Sequence, residues 1–167
     1  MSDQLNLDRK AANEKIRELA HKADVCLFTT KLNSLPLTTR PMSTRGVDDQ
    51  GCIWFFSREG SNKNRDIAAD NRVQLFYSNL SHAEFLTIYG RATISKDREK
   101  AKELWSAIAK TWFNEGYNDP ELTLIKVEPE HGYFWDTKDG RMISLIKMAV
   151  GAVSGREFET GIEGHIR

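Results

Sequence analysis

Cysteine is scarce in this chain, with Cys26 and Cys52 the only two among 167 residues. Each sits in an apolar, strand-like stretch, which excludes a disulfide-stapled scaffold and suits two buried thiols. Long apolar runs are lacking too. No segment approaches the roughly 18 to 20 apolar residues a membrane span needs, and the polar start, 1–9, does not read as a secretory signal. The expectation is a cytoplasmic protein. Net charge is also missing: 24 Lys and Arg balance 24 Asp and Glu, so no overall basic field draws the protein to nucleic acid or anionic membrane, and only a local basic patch remains open. The four histidines, His21, His82, His131 and His165, stand far apart with no second His or Cys at ligand spacing, leaving a zinc site unsupported. There is no G-x-x-x-x-G-K-[ST] loop, no G-x-G-x-x-G after a strand and no G-x-S-x-G elbow. Glu128 and Glu130 flank Pro129 in what reads as a turn, and nothing marks them as an acid/base pair. Repeats, low-complexity tracts and linkers are absent as well. The expectation is one domain over 1–167, its core spanning about 8–153, with 154–167 a Gly-rich, weakly patterned C-terminal extension.

What is present is a succession of short elements. Ala12, Ile16, Leu19, Ala20 and Ala23 recur at helical spacing, so 8–23 is an amphipathic helix with Asp8 as its N-cap. A β-branched and aromatic strand follows at 25–30, then a turn at Asn33-Ser34 into a strand region at 35–47. A second turn at 48–51 leads to 52–57, a strand too continuously apolar to leave one face in water. Gly60-Ser61 opens a short helix over 62–69. Strands are expected at 73–78 and 84–94, the latter alternating Phe85, Thr87 and Tyr89 with Leu86, Ile88 and Gly90. From Asp97 a second helix carries Ala101, Leu104, Trp105, Ile108 and Trp112 on one stripe and ends near Gly116. Two strands, 122–127 and 132–136, are separated by Glu128-Pro129, and an apolar run at 142–153 completes the sheet. Mostly sequential antiparallel strands with helices at intervals argue against a doubly wound parallel sheet. A mainly β barrel with peripheral helices fits the order.

The most informative stretch runs from Trp54 to Asp66, where a buried strand passes through a Gly-Ser cap into a helix. Helix starts present free N–H groups and the positive end of the dipole, so an anion sits well there. Lys63 and Arg65 fall in the first turn, where the dipole disfavours a cation by about 0.3 to 1 kcal/mol unless an anion is bound. Phosphate would resolve that conflict; a solvated basic turn partly neutralised by Glu59 and Asp66 is the other reading. Upstream, Arg40, Met42 and Thr44 should share one face of a strand. Pro41 cannot donate to a ladder and so marks an edge, a bulge or an opening in a barrel wall. Arg40 and Arg45 are either planar donors to a ligand or surface partners of Asp48 and Asp49. Trp54, Phe55, Phe56, Trp112, Phe113, Tyr133, Phe134 and Trp135 are core residues or the walls of a pocket for a flat ring.

Taken together, Arg40-Pro-Met42, Trp54-Phe-Phe-Ser57, Ser61-Asn-Lys63 and Tyr133-Phe-Trp-Asp136 resemble, in order and spacing, the pyridoxamine 5'-phosphate oxidase-like FMN-binding split barrels, and most closely their general stress protein branch. The resemblance covers roughly 8–153. It implies a six-stranded-type Greek-key antiparallel split barrel with peripheral helices, a homodimer, and FMN sites at the subunit interface. On that resemblance, Arg40, Pro41, Met42 and Ser43 line the flavin ring and Arg45 is a basic flavin or phosphate ligand. Phe56 and Ser57 follow on the next strand, and Asn62 with Lys63 binds the phosphate. Trp135, with Phe85 or Trp112, closes over the flavin from the second subunit. Asn62 stands where the better-known oxidases carry a second basic residue, and only Arg141 lies near the place of their substrate-binding arginines, which argues against pyridoxamine phosphate as substrate.

The implied activity is that of an FMN-dependent oxidoreductase acting on a small molecule, with Arg40 expected to stabilise a reduced, anionic ring. The alternatives are a flavin sensor or carrier without turnover and a haem module, for which only His131 or His165 offers a proximal ligand. A nucleic-acid-binding barrel is disfavoured by the balanced charge.

Overall fold

In the computed structural model, residues 9–136 and 162–166 of the chain are described; the expected cap at Asp8, Arg141 and the apolar run at 142–153 lie outside them. Helix α1 (Arg9–Ala23) forms where the apolar period called for it, and buries Ala12, Ile16, Leu19 and Ala20. After it, Asp24 takes a left-handed conformation, φ 60°, and returns its N–H to the Ala20 carbonyl at 3.0 Å. That closes the helix and turns the chain into the sheet.

Among the described residues the sheet has eight strands: β1 (Val25–Thr30), β2 (Thr38–Ser43), β3 (Gly46–Val47), β4 (Ile53–Arg58), β5 (Arg72–Asn79), β6 (Glu84–Ser95), β7 (Leu122–Asp136) and β8 (Ile162–Ile166). Their order is β2-β1-β5-β6-β7-β4-β3, with β8 also on β7, and every pairing is antiparallel. Apart from β3 and β8, each strand has at least six residues. These six principal strands wind as a Greek key, because β1 neighbours β5 as well as β2, and β4 neighbours β7 and not β5, which follows it in the chain. The result is a curled split barrel. Its interior is filled by alternate residues of the principal strands, among them Phe28, Phe55, Val73, Leu75, Leu86, Ile88, Ile125 and Val127. Phe28 and Phe55 meet edge to face with centroids 5.2 Å apart, a geometry contributing about 0.5–1.5 kcal/mol beyond area burial.

Strand β4 is covered on both faces, as its continuous apolar character requires. Ile53 and Phe55 enter the barrel core. Trp54 and Phe56 pack on a second cluster built from Ala101, Phe113, Leu122 and Leu124 with Leu104, Trp105 and Tyr117.

Two expectations from the sequence need correction. The helix expected from Asp97 to Gly116 stops early: α3 is Arg98–Glu103, capped by Asp97, and two 3-10 turns follow at Ala107–Thr111 and Gly116–Asn118. Trp105 stacks on Phe56 at 5.8 Å and meets Tyr117 at 6.3 Å, while Ser106 is extended. Tertiary aromatic packing overrides the local period, and Ile108 and Trp112 are left exposed. Second, 122–136 is one strand and not two. Tyr89 faces His131 but Gly90 faces Pro129, so Glu130 is an extra residue in a bulge, where a proline costs no ladder bond. Gly90 is required there, since a Cβ would lie 2.2 Å from the Glu128 carbonyl oxygen. The C-terminal extension contributes β8, which pairs with 132–136 of β7. Among the described residues no helix is long and apolar enough to cross a membrane.

Candidate functional site

Helix α2 (Asn62–Ala69) starts from β4 through a tight turn, with Ser61 N–H on the Arg58 carbonyl at 3.1 Å. Ser61 is the N-cap, and its hydroxyl accepts from the Asn64 N–H at 3.4 Å. Beside this helix start, between β2, β4 and the 3-10 segment, lies a cleft of about 320 Å³. Pro41, Met42, Ser43 and Arg45 line one side, Phe56, Ser57, Arg58, Ser61 and Lys63 the floor and one end, and Ala109, Trp112 and Phe113 the far wall. Its lining carries three cations and no carboxylate.

The cations differ in their partners. Lys63 is half-buried, and its pKa is held below the usual lysine value by burial and then by the charge of Arg40. Among the described residues no carboxylate pairs with it. Arg40 stands at the same end. Its guanidinium donates to the Phe28 carbonyl at 3.3 Å and to Thr30 Oγ1 at 2.9 Å, and lies 3.5 Å from Asp66. Burial lowers its pKa, and the charge of Asp66 opposes that. Asp66 is itself buried; it receives Thr30 Oγ1 at 2.8 Å and Lys31 Nζ at 3.0 Å. At the opposite end Arg45 donates to Ser106 Oγ at 3.0 Å and to Ser43 Oγ, again with no carboxylate partner among the described residues. Arg58 reaches over the Phe113 ring at 5.6 Å, pairs with Glu121 and donates to the Trp112 carbonyl at 2.6 Å, tying the far wall to β4.

The cleft therefore gathers Pro41, Met42, Ser43, Arg45, Phe56, Ser57, Lys63 and Trp112 of the residues singled out from sequence. Arg40 stands behind its α2 end, and, as the strand period requires, Met42 shares its barrel-facing side. Thr44, just beyond the strand, bonds the Tyr77 hydroxyl at 2.7 Å. Asn62 is exposed, accepts from Arg65 and does not line the cleft. Phe85 and Trp135 are direct cross-strand neighbours on the outer face of β6 and β7, exposed and outside this chain's cleft. Trp112 reaches the cleft within its own chain. His131 stacks on Tyr89 at 6.0 Å, also outside the cleft, and among the described residues no cluster of three His, Cys, Asp or Glu could hold a metal ion.

Sequence reasoning missed the polar support behind the floor. Asn64, Asp66 and Thr123 are buried. Asn64 falls three residues before buried Ile67, on the core-facing stripe of α2, a period that would have located it. Thr123 carries no such signal. A wider groove, about 530 Å³ between α1 and 44–47, shares Arg45 with the cleft. Its lining includes Glu14, Glu18 and Asp24, which oppose an anion, so the cleft is the better candidate for an anionic ligand.

A split barrel with a cationic cleft at a helix N-terminus defines the class. The profile of the pyridoxamine 5'-phosphate oxidase like family matches residues 11–159, and the chain belongs to that family. Among curated proteins, protein bli-3 of Neurospora crassa is 21% identical over 92% of this chain and 80% of its own length. Among solved structures, a candidate general stress protein 26 from Jannaschia sp. CCS1 aligns with a TM-score of 0.74 and 23% identity, covering 95% of this chain and 99% of that one. The general stress FMN/FAD binding protein from the phytopathogen Xanthomonas citri aligns with a TM-score of 0.67 and 21% identity, covering 80% and 94%.

Proposed function

We propose that the cleft binds FMN and that the chain works as a flavin-dependent oxidoreductase on a small molecule in a reducing, intracellular setting, where Cys26 and Cys52 stay as free thiols. The observation that carries the flavin reading is Lys63. A half-buried ammonium beside the start of a helix and near a second cation is unfavourable by itself and becomes favourable when a phosphate shares the space. Lys63, the Ser61 hydroxyl and the free N–H groups of the first turn would hold that phosphate, with Arg40 adding charge from behind. Pro41, Met42, Phe56 and Trp112 offer apolar walls for a flat ring, and Arg45 a planar donor to ring carbonyls. The bound flavin supplies the hydride chemistry, and the protein supplies position and polarity.

The same reading includes a homodimer. Val25, Leu27, Phe76, Phe85 and Trp135 are exposed on the outer face of β1, β5, β6 and β7. Leu27 lies directly opposite both Phe76 and the cleft residue Pro41, so the apolar face is continuous with the cleft. A second copy would cover that face and bring its own Phe85 and Trp135 toward the flavin. The test is the absorbance of the purified protein and the identity of its released chromophore. Flavin bands with FMN released, or taken up by apoprotein on reconstitution, are expected; an apoprotein that takes up no flavin refutes the reading. NADH or NADPH oxidation by the loaded protein then separates an enzyme from a carrier.

A further inference from the structure

Behind the floor of the cleft, one buried side chain ties three segments together. Asn64 Nδ2 donates to Thr123 Oγ1 on β7 at 2.9 Å and to the Glu59 carbonyl at 3.4 Å. Its Oδ1 accepts from Ser57 Oγ on β4 at 2.7 Å. Thr123 Oγ1 gives its own proton to the Ser57 carbonyl at 3.0 Å. These protons allow one arrangement. Thr123 has spent its hydrogen, so it can only accept, and a carbonyl can only accept; both must face the amide nitrogen of Asn64. The amide oxygen then faces Ser57, whose hydroxyl must donate inward. Ser57 Oγ is left as an acceptor toward Ser61 Oγ, 3.1 Å away. Ser61 Oγ also accepts the Asn64 N–H, and its one proton goes to Ser57 Oγ, so Ser61 is the donor of that pair and its proton is the one that can turn from the 3.1 Å contact toward a ligand. Among the described residues no buried side-chain nitrogen or oxygen lacks a partner, so the network is complete and rigid.

We propose that Asn64 is a positioning residue for the phosphate end of the cleft: by taking the Ser57 proton it leaves the Ser61 hydroxyl as a donor that can turn from Ser57 to phosphate, and it holds the first turn of α2 and Lys63 in register with β7. Asn64 does not line the cleft; it acts through Ser57 and Ser61. The inference rests on the flavin reading above. It predicts an effect confined to the phosphate, since Asn64 supports one end of the cleft and not the walls for the ring.

The test is titration of the apoprotein with FMN and with riboflavin, followed by flavin fluorescence, for the wild type, Asn64→Ala and Thr123→Val. The wild type should prefer FMN. Asn64→Ala should weaken FMN about tenfold, the worth of one charge-assisted hydrogen bond, and leave riboflavin within about twofold. Thr123→Val keeps the shape and removes one anchor of Asn64 together with the bond to the Ser57 carbonyl, so a loss in the same direction of about threefold is expected. Equal weakening of both flavins in either folded variant marks a merely structural role and overturns the inference, as does unchanged FMN affinity. If Asn64→Ala does not fold, Thr123→Val decides alone. A wild type that binds neither flavin overturns the flavin reading itself, and that failure shows before any variant is made.

Discussion

Arg40 and Lys63 stand at the same end of the cleft, and among the described residues only Arg40 of the two has a carboxylate partner. Asp66 lies 3.5 Å from the Arg40 guanidinium, while the charge of Arg40 depresses the Lys63 pKa. One cation is thus neutralised from below, and the other faces the cleft uncompensated. Removing the positive charge at Lys63 should relieve repulsion in the free protein and cost binding only when an anion is present.

Lys63→Ala is therefore expected to leave the fold as stable as the wild type or slightly more so. FMN affinity should fall by about ten- to a hundredfold, since a hydrogen bond to a charged group contributes about 1.5–3 kcal/mol. Riboflavin, lacking the phosphate, should bind the variant as it binds the wild type. Isothermal titration with both flavins measures the contrast, and unchanged FMN affinity would remove Lys63 from the site.

Asp66 links the site to stability through pH. Burial pushes its pKa up, but the Thr30 and Lys31 hydrogen bonds and the charges of Lys31 and Arg40 outweigh that, and the folded value lies below the ordinary one. A carboxyl with a depressed folded pKa contributes stability that is complete above its unfolded value, about 3.9, and lost as the pH falls through the folded value. Asp66→Asn should destabilise the protein by about 2 kcal/mol at pH 7, leaving Arg40 partly buried without its counter-charge. Urea unfolding should show the gap between the two proteins closing as the pH is lowered from about 3.9 through the folded value below it. A gap independent of pH would mean that the carboxylate is not ionised in the fold.

The difference between what was and was not legible in the sequence follows how local each cause is. Strands β1, β5 and β6 declare themselves by alternation, and α2 by its Gly-Ser start, because pleat and cap act within a few residues. The break after Glu103 is invisible locally: it follows from Trp105 reaching Phe56, a residue of another element. The continuity of β7 through Pro129 depends on Gly90 accepting the Glu128 carbonyl across the ladder. At the site, Ser61 and Lys63 stand out through the conflict of cation and dipole. Asn62 and Asn64 look alike in sequence, and the phase of the helix alone separates the exposed one from the buried one. Thr123 joins them only through a contact 59 residues away along the chain.

The outer sheet face gives a third expectation. Phe76 and Leu27 are cross-strand partners that point away from the barrel core, and Phe76 is 41% exposed in the single chain. Phe76→Glu should cost the isolated subunit about 1 kcal/mol or less, yet place a charge in the middle of a dimer interface. Sedimentation velocity should show a monomer where the wild type is a dimer, with flavin affinity reduced because the partner's aromatics no longer reach the cleft. A wild type that sediments as a monomer at micromolar concentration would sink the dimer.

The far wall of the cleft depends on Trp105. Its indole packs on Phe56 and Tyr117 and anchors the second cluster, which also contains Phe113 from the cleft lining. The barrel core is a separate cluster, so loss of Trp105 should be felt on one side of β4 only. Trp105→Ala removes a large, partly buried ring, and a cost of about 2–3 kcal/mol is expected, below the 3–5 typical of a fully buried one. Because α3 and the 3-10 turns are anchored through this one cluster, that loss should appear as local opening. Amide hydrogen exchange should speed up across 104–119 while β5 and β6 stay protected. Flavin should still bind through the phosphate end, with weaker affinity for the ring and so for both FMN and riboflavin alike. Uniform loss of protection across the whole sheet would instead show that the two clusters unfold as one.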